Sequence, residues 1–424
     1  TLSGATTIGG LVFNGADFTL TGSTLSLAAP VGSTTPSVSV SAGNRATVSS
    51  VVAGSAGLTK TGNGSLLLTN TGNTFTGDVT IKGGSLVVTS NAQLGLGTGQ
   101  ISIFGWSNTG NPGYSGGSLV VKGAEAAGAT GITIARDVTF SGRGPTSNNN
   151  SGGLISIGYN TFTGTIGVGS ATTDARAWSA YGTTTLAGNV LIGATGQNTV
   201  FHGNGNWTIS GLVGGAESAQ DRFIKSGNLI TTTLWLKNSG NTFAQSLRID
   251  NGTVRVQADG ALGANITTTA IDLNNGTLEI RSDALAGFAT RNLSFRDNAS
   301  GTLFVDHDVT GSLGIGSAAM NQTISFPSLV RGAGTSGIAT LTIQSRNGYN
   351  TTVTGNIAIA GTQGTTLTNS SSGLFTYLGN LGLSSHSTAR TLTMQGGGDS
   401  ILTGNITGTG AFHEFTKGSS GTLT

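Results

Sequence analysis

The chain of 424 residues contains no cysteine. Disulfide staples, thiolate nucleophiles, cysteine-ligated zinc and iron–sulfur clusters are therefore excluded together. Charge is nearly as scarce: 8% of residues are charged, and 19 Lys and Arg against 17 Asp and Glu leave a net charge of +2. So small a surplus makes no electrostatic footprint for nucleic acid, which demands clustered Lys and Arg. Aromatic residues reach only 6%, which counts against a string of β-sandwiches with aromatic cores. Long apolar runs are also missing. Stretches such as Leu66-Leu67-Leu68 and Leu86-Val87-Val88 fall far short of the roughly 20 residues that span a bilayer as a helix. Helix formers are thin, with 4 Glu and 2 Met, and Gly interrupts nearly every window in which a helix could propagate.

What is abundant is Gly, at 72 residues, and Thr, at 67. The Gly follows no Gly-X-Y period, so collagen is excluded. Disorder is excluded as well, because it requires low hydrophobicity with high net charge and this chain is 36% hydrophobic. The recurring signal is a short alternating run of Thr, Val, Ile and Leu closed by Gly, Asn or Ser. Examples are Asp78-Val79-Thr80-Ile81, Thr253-Val254-Arg255-Val256 and Ala339-Thr340-Leu341-Thr342-Ile343. Each reads as a strand with one apolar and one polar face, bracketed by turns such as Lys82-Gly83-Gly84 and Asn274-Asn275-Gly276. The expected class is all-β.

Internal repetition selects the architecture. Residues 58–95 run from Leu58-Thr59-Lys60-Thr61-Gly62-Asn63-Gly64 through Asn73-Thr74-Phe75-Thr76-Gly77 and Gly84-Ser85-Leu86 to Ala92-Gln93-Leu94-Gly95. Residues 236–263 repeat the plan with Leu236-Lys237-Asn238, Asn241-Thr242-Phe243, Gly252-Thr253-Val254 and Ala261-Leu262-Gly263, but lack the first strand. Partial copies occupy 158–168 (Tyr159-Asn160-Thr161-Phe162), 348–357 (Tyr349-Asn350-Thr351) and 415–424 (Phe415-Thr416-Lys417). A unit of this kind suits a parallel β-solenoid, whose coils stack at about 4.8 Å with Gly and Asn at the corners. Coils of about 20–25 residues would wind the chain into roughly 17–21 turns of one continuous, elongated β-helix over residues 1–424.

These residues resemble the autotransporter-associated β-strand repeat, also called the passenger-associated transport repeat, of bacterial surface proteins. That pattern runs Leu-x-Lys-x-Gly-x-Gly-x-Leu-x-Leu, Asn-x-Tyr/Phe-x-Gly, Gly-x-Leu and Ala-Leu-Gly. Residues 58–95 match it nearly throughout, whereas Phe243-Ala244 lacks the Gly that Phe75-Thr76-Gly77 supplies. The resemblance implies a right-handed β-helical stalk at, or shed from, the outer-membrane side of the cell surface. It also implies a non-enzymatic role as structural stalk, adhesin or filament subunit, with no cofactor. The C-terminal membrane barrel of that family is absent from these residues, which leaves the secretion route open. The chain opens and closes inside repeat-like segments, so the expected partners are neighbouring repeats of a longer chain or head-to-tail copies. Surface glycans are a further expected partner.

Catalysis is the competing expectation, because a β-helix can carry carboxylates that cleave polysaccharides. Glycoside hydrolysis needs two acids about 5–10 Å apart, and the single dense acidic spot is Asp306-His307-Asp308 with Asp297 upstream. The plainer expectation there is a solvated turn after Leu303-Phe304-Val305. No catalytic, cofactor or metal residue is assigned: the four His lack ligand spacing, and no strand–elbow–helix nucleophile motif is present. Trp106, Trp178, Trp207 and Trp235, with Tyr114 and Tyr181, read either as a sugar-stacking set or as padding under loops near 104–117 and 141–153. A Thr-ladder binding face would need regular Thr-x-Thr, and Thr183-Thr184-Thr185 and Thr231-Thr232-Thr233 look too irregular.

Overall fold

A computed structural model describes residues 1–105, 115–126, 129–145, 152–169, 174–193, 198–215, 221–264, 270–296, 298–308, 320–331, 337–359, 364–383, 390–408 and 413–424. Among them the strands pair in parallel, each with the equivalent strand one coil away. Parallel neighbours cannot be joined by a tight hairpin, so the chain completes a full coil before it pairs again. The fold is a parallel β-solenoid. Helix among the described residues is confined to single 3₁₀ turns at Asn91–Leu94, Asp259–Leu262 and Ala286–Thr290, and none is long and apolar enough to cross a membrane.

Residues Thr1–Asp221 and Arg222–Thr424 each form a compact unit. In the first, one sheet runs from Gly10–Phe13 through Leu58–Thr61 and Val79–Ile81 to Val213–Gly215. A second runs from Phe18–Leu20 through Ser65–Leu68, Gly83–Val88 and Gly116–Lys122 to Thr199–Gly203. In the second unit, one sheet runs from Arg222–Lys225 to Ile406–Gly408 and another from Thr233–Leu236 to His413–Lys417. A four-stranded sheet from Thr323–Phe326 to Ser400–Leu402 completes that unit's walls.

The alternation seen in sequence becomes inward and outward faces. Gly252–Val256 and Ala339–Ser345 bury every second residue, and successive coils align these positions into ladders. In the first unit one inward ladder reads Val38, Lys60, Ile81, Ile103, Phe140, Val168 and Ile192. In the second a ladder reads Lys225, Ile249, Leu273, Phe295, Arg331, Ile359 and Leu383. The hexapeptide Gly-Gly-Ser-Leu-Val-Val occurs at 83–88 and at 116–121, and the two copies stack residue on identical residue.

Coil length varies more than the expected 20–25 residues. It is 20 from Leu66 to Leu86 but 40 from Leu303 to Ile343, because excess residues leave the coil at corners while the paired strands keep register. Thr is stacked by the same means. Thr233, Thr253, Thr277, Thr302, Thr342 and Thr368 form one outward ladder on six successive strands, although their spacing in sequence is irregular.

Candidate functional site

Both full repeats are wired by the same side chains. Asn73 is buried, accepts from Val52 N–H (2.9 Å) and donates to the Gln93 carbonyl (2.8 Å). Asn241 is buried likewise and donates to the Ala261 carbonyl at 2.9 Å. Each Asn thus reaches the residue just before the Leu-Gly that ends its repeat. The Phe two residues after each Asn, Phe75 or Phe243, is wholly buried. Its carbonyl accepts a backbone N–H from just past that Gly, Leu96 at 3.0 Å and Ala264 at 2.8 Å. Gly95 (φ 80°) and Gly263 (φ 77°) occupy the left-handed region, and a Cβ there would stand 2.2 and 2.4 Å from the Phe75 and Phe243 carbonyl oxygens. Only Gly fits both constraints.

The first strand that residues 236–263 lack lies further upstream in the chain. It is Arg222–Lys225, and Phe223-Ile224-Lys225-Ser226-Gly227 answers Leu58-Thr59-Lys60-Thr61-Gly62. The corner that follows is three residues longer, which hid the match. Lys60 Nζ donates to the carbonyls of Thr61, Gly62 and Gly83 at 2.7, 2.8 and 2.9 Å. Lys225 Nζ donates to the Ser226 carbonyl and Thr232 Oγ1, both at 2.9 Å. Lys417 repeats the local part, donating to the carbonyls of Gly418 and Ser419. The motif Lys is therefore a corner clamp with its alkyl stem stacked in an apolar ladder.

Burial lowers Lys60 to a pKa of about 7 and Lys225 to about 8. Both lie below the unfolded value of 10.5, so between pH 7 or 8 and about 10.5 the unfolded chain binds protons that the folded chain has released. Stability should rise with pH across that window, by at most about 1.4 kcal/mol per pH unit for each lysine. Urea midpoints measured between neutral pH and about pH 10 check this, and Lys60→Met and Lys225→Met should each flatten the slope.

A second clamp escaped sequence reading altogether. Arg136, 6% exposed, donates to the Leu94 carbonyl (2.8 Å) and the Gly77 carbonyl (2.9 Å). Arg291, also 6% exposed, donates to the Leu262 carbonyl (3.1 Å) and the Gly263 carbonyl (2.8 Å) and pairs with Asp259 at 2.6 Å. Each guanidinium ties off the last carbonyls of its repeat's 3₁₀ turn. The Arg sits 42 residues beyond Leu94 in one case and 29 beyond Leu262 in the other, so no fixed spacing could reveal it.

The partial copies differ in geometry. Asn160–Phe162 and Asn350–Val353 are strands, whereas Asn73-Thr74-Phe75 lies outside any strand. Asn160 donates to Ser156 Oγ and the Ile157 carbonyl within its own corner. Tyr349 is buried and donates its hydroxyl to Asp283 Oδ1 at 2.8 Å; burial first, then this bond, pushes the phenol's pKa up.

The acidic spot is no solvated turn. Asp306 is 2% exposed. It pairs with Arg281 (2.6 Å) and accepts from Asn347 Nδ2 (2.6 Å) and the His307 N–H (2.9 Å). Arg281 also holds Glu279 at 2.7 Å, and Glu279 holds Arg255 at 2.8 Å. Asp308 accepts from Gln257 Nε2 at 2.8 Å. The cluster thus reaches across coils as a chain of alternating charges. It forms because strand register places Arg255 beside Glu279, and Arg281 beside Asp306. Asp297 lies outside the described residues. Among those described, no group of three His, Asp or Glu side chains could hold a metal ion.

The aromatic set divides three ways. Trp207 is fully buried, edge-on to Phe201 at 5.2 Å, and donates to the His202 carbonyl. Trp235 has Lys237 Nζ 4.5 Å and Arg255 Cζ 5.7 Å from its ring centroid, so cations already occupy its π-face. Trp178 stands on an outer face between Ile155 and His202. Trp106 and Tyr114 lie outside the described residues.

No family model and no solved structure matches the chain. Among curated proteins, the "Adhesin BmaC autotransporter" of Brucella suis biovar 1 (strain 1330) is 30% identical over 335 residues, which cover 74% of this chain. That likeness and the β-solenoid are consistent with the autotransporter-associated β-strand repeats that the sequence resembles. The matched region spans 9% of that relative's length. The repeat's signature residues now have physical roles: Lys clamps the first corner, Asn and Phe join successive coils, and the final Gly permits the close approach.

Proposed function

We propose that this chain is an extracellular, non-enzymatic stalk segment of a bacterial surface passenger, displayed on the outer-membrane side, whose outer faces and corners make adhesive contacts. The observation that carries the reading is the repeated wiring. Its repeated residues Lys60, Asn73 and Phe75, with their counterparts in the second repeat, turn inward to hold coil on coil, and Gly95 lets the backbone approach Phe75. A segment built this way stiffens and extends, and leaves its outward faces free to vary. Each coil pairs only with its neighbours, so folding can propagate coil by coil, which suits a passenger that emerges from one end. The carboxylates of Asp306 and Asp308 are engaged by Arg281, Asn347 and Gln257, which favours a structural over a catalytic cluster. Adhesion is the property named for the Brucella relative, and comes to this chain as part of the proposal.

Beads coated with the purified chain test it. They should adhere saturably to epithelial monolayers, with soluble chain competing. Adherence no greater than that of beads carrying an unrelated β-solenoid would overturn the adhesive reading.

A further inference from the structure

One outer face of the first unit breaks the unit's own pattern. On its strands Ile132–Ile134, Asn160–Phe162, Thr183–Leu186 and Asn206–Ile209 the outward positions Thr133, Thr161, Thr185 and Thr208 stack as a Thr ladder. On the sheet through Ser65–Leu68 and Gly83–Val88 the outward column instead reads Thr47, Leu67, Val87, Val120, Ile155 and Trp178, of which Val120 and Ile155 are covered and Leu67 and Val87 stay half-buried. Apolar side chains on an outward column, where local rules call for Thr or Ser, are the kind of inconsistency that marks a surface with a task.

Leu67 and Val87 floor a groove of about 400 Å³ there, with Ser65 and Thr89 at its sides and Arg45 and Lys122 at its rim. Neither cationic side chain has an ion-pair or hydrogen-bond partner among the described residues. That is unusual in a chain with so few charges, most of whose other Arg side chains are paired or clamp carbonyls. The two cations lie three coils apart along the register that runs from Arg45 through Ser65 and Ser85 to Ser118. Three steps of about 4.8 Å part them by about 14 Å along the stack, and Lys122 stands four residues beyond Ser118 on its strand, about 13 Å across, so their backbones are roughly 20 Å apart.

We propose that this groove binds an acidic polysaccharide. Uronate carboxylates meet Arg45 and Lys122, apolar pyranose faces lie on Leu67 and Val87, and ring hydroxyls meet Ser65 and Thr89. Charge complementarity selects an anion, and the separation of the cations selects a chain of sugars over a single one. An acidic peptide fits less well. Backbone N–H and C=O groups of this sheet pair within its own ladders, so a peptide backbone laid on its face would find no partners. The proposal rests on the adhesive reading and names a ligand class for it.

Titration calorimetry of the full chain with short oligogalacturonates, their methyl esters and polyglutamate tests it. Oligogalacturonate should bind, and Arg45→Gln and Lys122→Gln should each weaken it by roughly tenfold, the scale of a charged hydrogen bond. The salt slope should become shallower in both variants. The methyl ester should bind far more weakly, and its residual binding should fall in Leu67→Ser. These substitutions are outward, so circular dichroism should stay unchanged. Absence of oligogalacturonate binding at millimolar concentration would overturn the proposal, as would equal binding by the R45Q/K122Q double variant or preference for polyglutamate. If beads adhere to cells while the groove variants adhere equally well, the groove fails and the adhesive reading stands. Loss of both removes both.

Discussion

Replacing Arg281 with Met should destabilise the Arg222–Thr424 unit by about 3–5 kcal/mol, the range for breaking a buried ion pair from one side. Arg281 bridges Glu279 at 2.7 Å and Asp306 at 2.6 Å, and the side chain of Asp306 is only 3% exposed. Its guanidinium also lies 4.7 Å from the Phe304 ring centroid. Without it, Glu279 keeps Arg255, which is one-third exposed, and Asp306 keeps hydrogen bonds from two neutral donors, Asn347 and the His307 N–H, with the His307 ring 3.7 Å away. A buried carboxylate with neutral partners retains most of its desolvation penalty. Against a typical total of 5–15 kcal/mol, the loss is large enough to read in a urea transition. Hydrogen exchange should quicken first over Gly276–Arg281 and Ser300–Asp306. The triple variant Arg281→Met, Glu279→Leu, Asp306→Leu separates charge from packing. It should recover much of the loss, since a buried cluster replaced whole by apolar side chains is often near neutral. Failure to recover would assign the effect to packing against Phe304.

Phe243→Ala should cost about 3–5 kcal/mol, as for other fully buried Phe side chains. The ring is wholly buried and stacked on Phe223, with centroids 4.9 Å apart. Phe243 lies on the segment that Asn241 and Gly263 tie to the next coil, so the cavity opens where two coils are joined. Phe243→Leu keeps most of the volume and should cost under half as much. The corresponding Phe75→Ala should act on the Thr1–Asp221 unit in the same way, because Phe75 occupies the same place against Gly95. Thermal unfolding of the three variants measures this. Equal midpoints for the Ala and Leu variants would show that the coil junction does not depend on filling that space.

Much of the fold was legible because it rests on local rules. Alternation in Gly252–Val256 and Ala339–Ser345 reads directly as a half-buried strand, and Gly95 with Gly263 marks the repeat end. The Asn-x-Phe motif was visible, but its work was not: Asn73 reaches Gln93 across 20 residues, and nothing in a motif states its partner. The acidic spot was misread for the same reason. Asp306 looked like a turn residue beside Val305, and what buries and pairs it is Arg281, one coil earlier.

The sequence by itself determined the strand period, the scarcity of helix among the described residues, the repeat unit and the corners that need Gly. All of these follow from steric and hydrophobic preferences acting over a few residues. Only the tertiary structure decided which residues share a rung. Coils range from 19 to 40 residues, so register is set by side-chain stacking in the core rather than by a fixed count along the chain. That is why an irregular scatter of Thr became a ladder, and why the cations of Arg136 and Arg291 found carbonyls dozens of residues away.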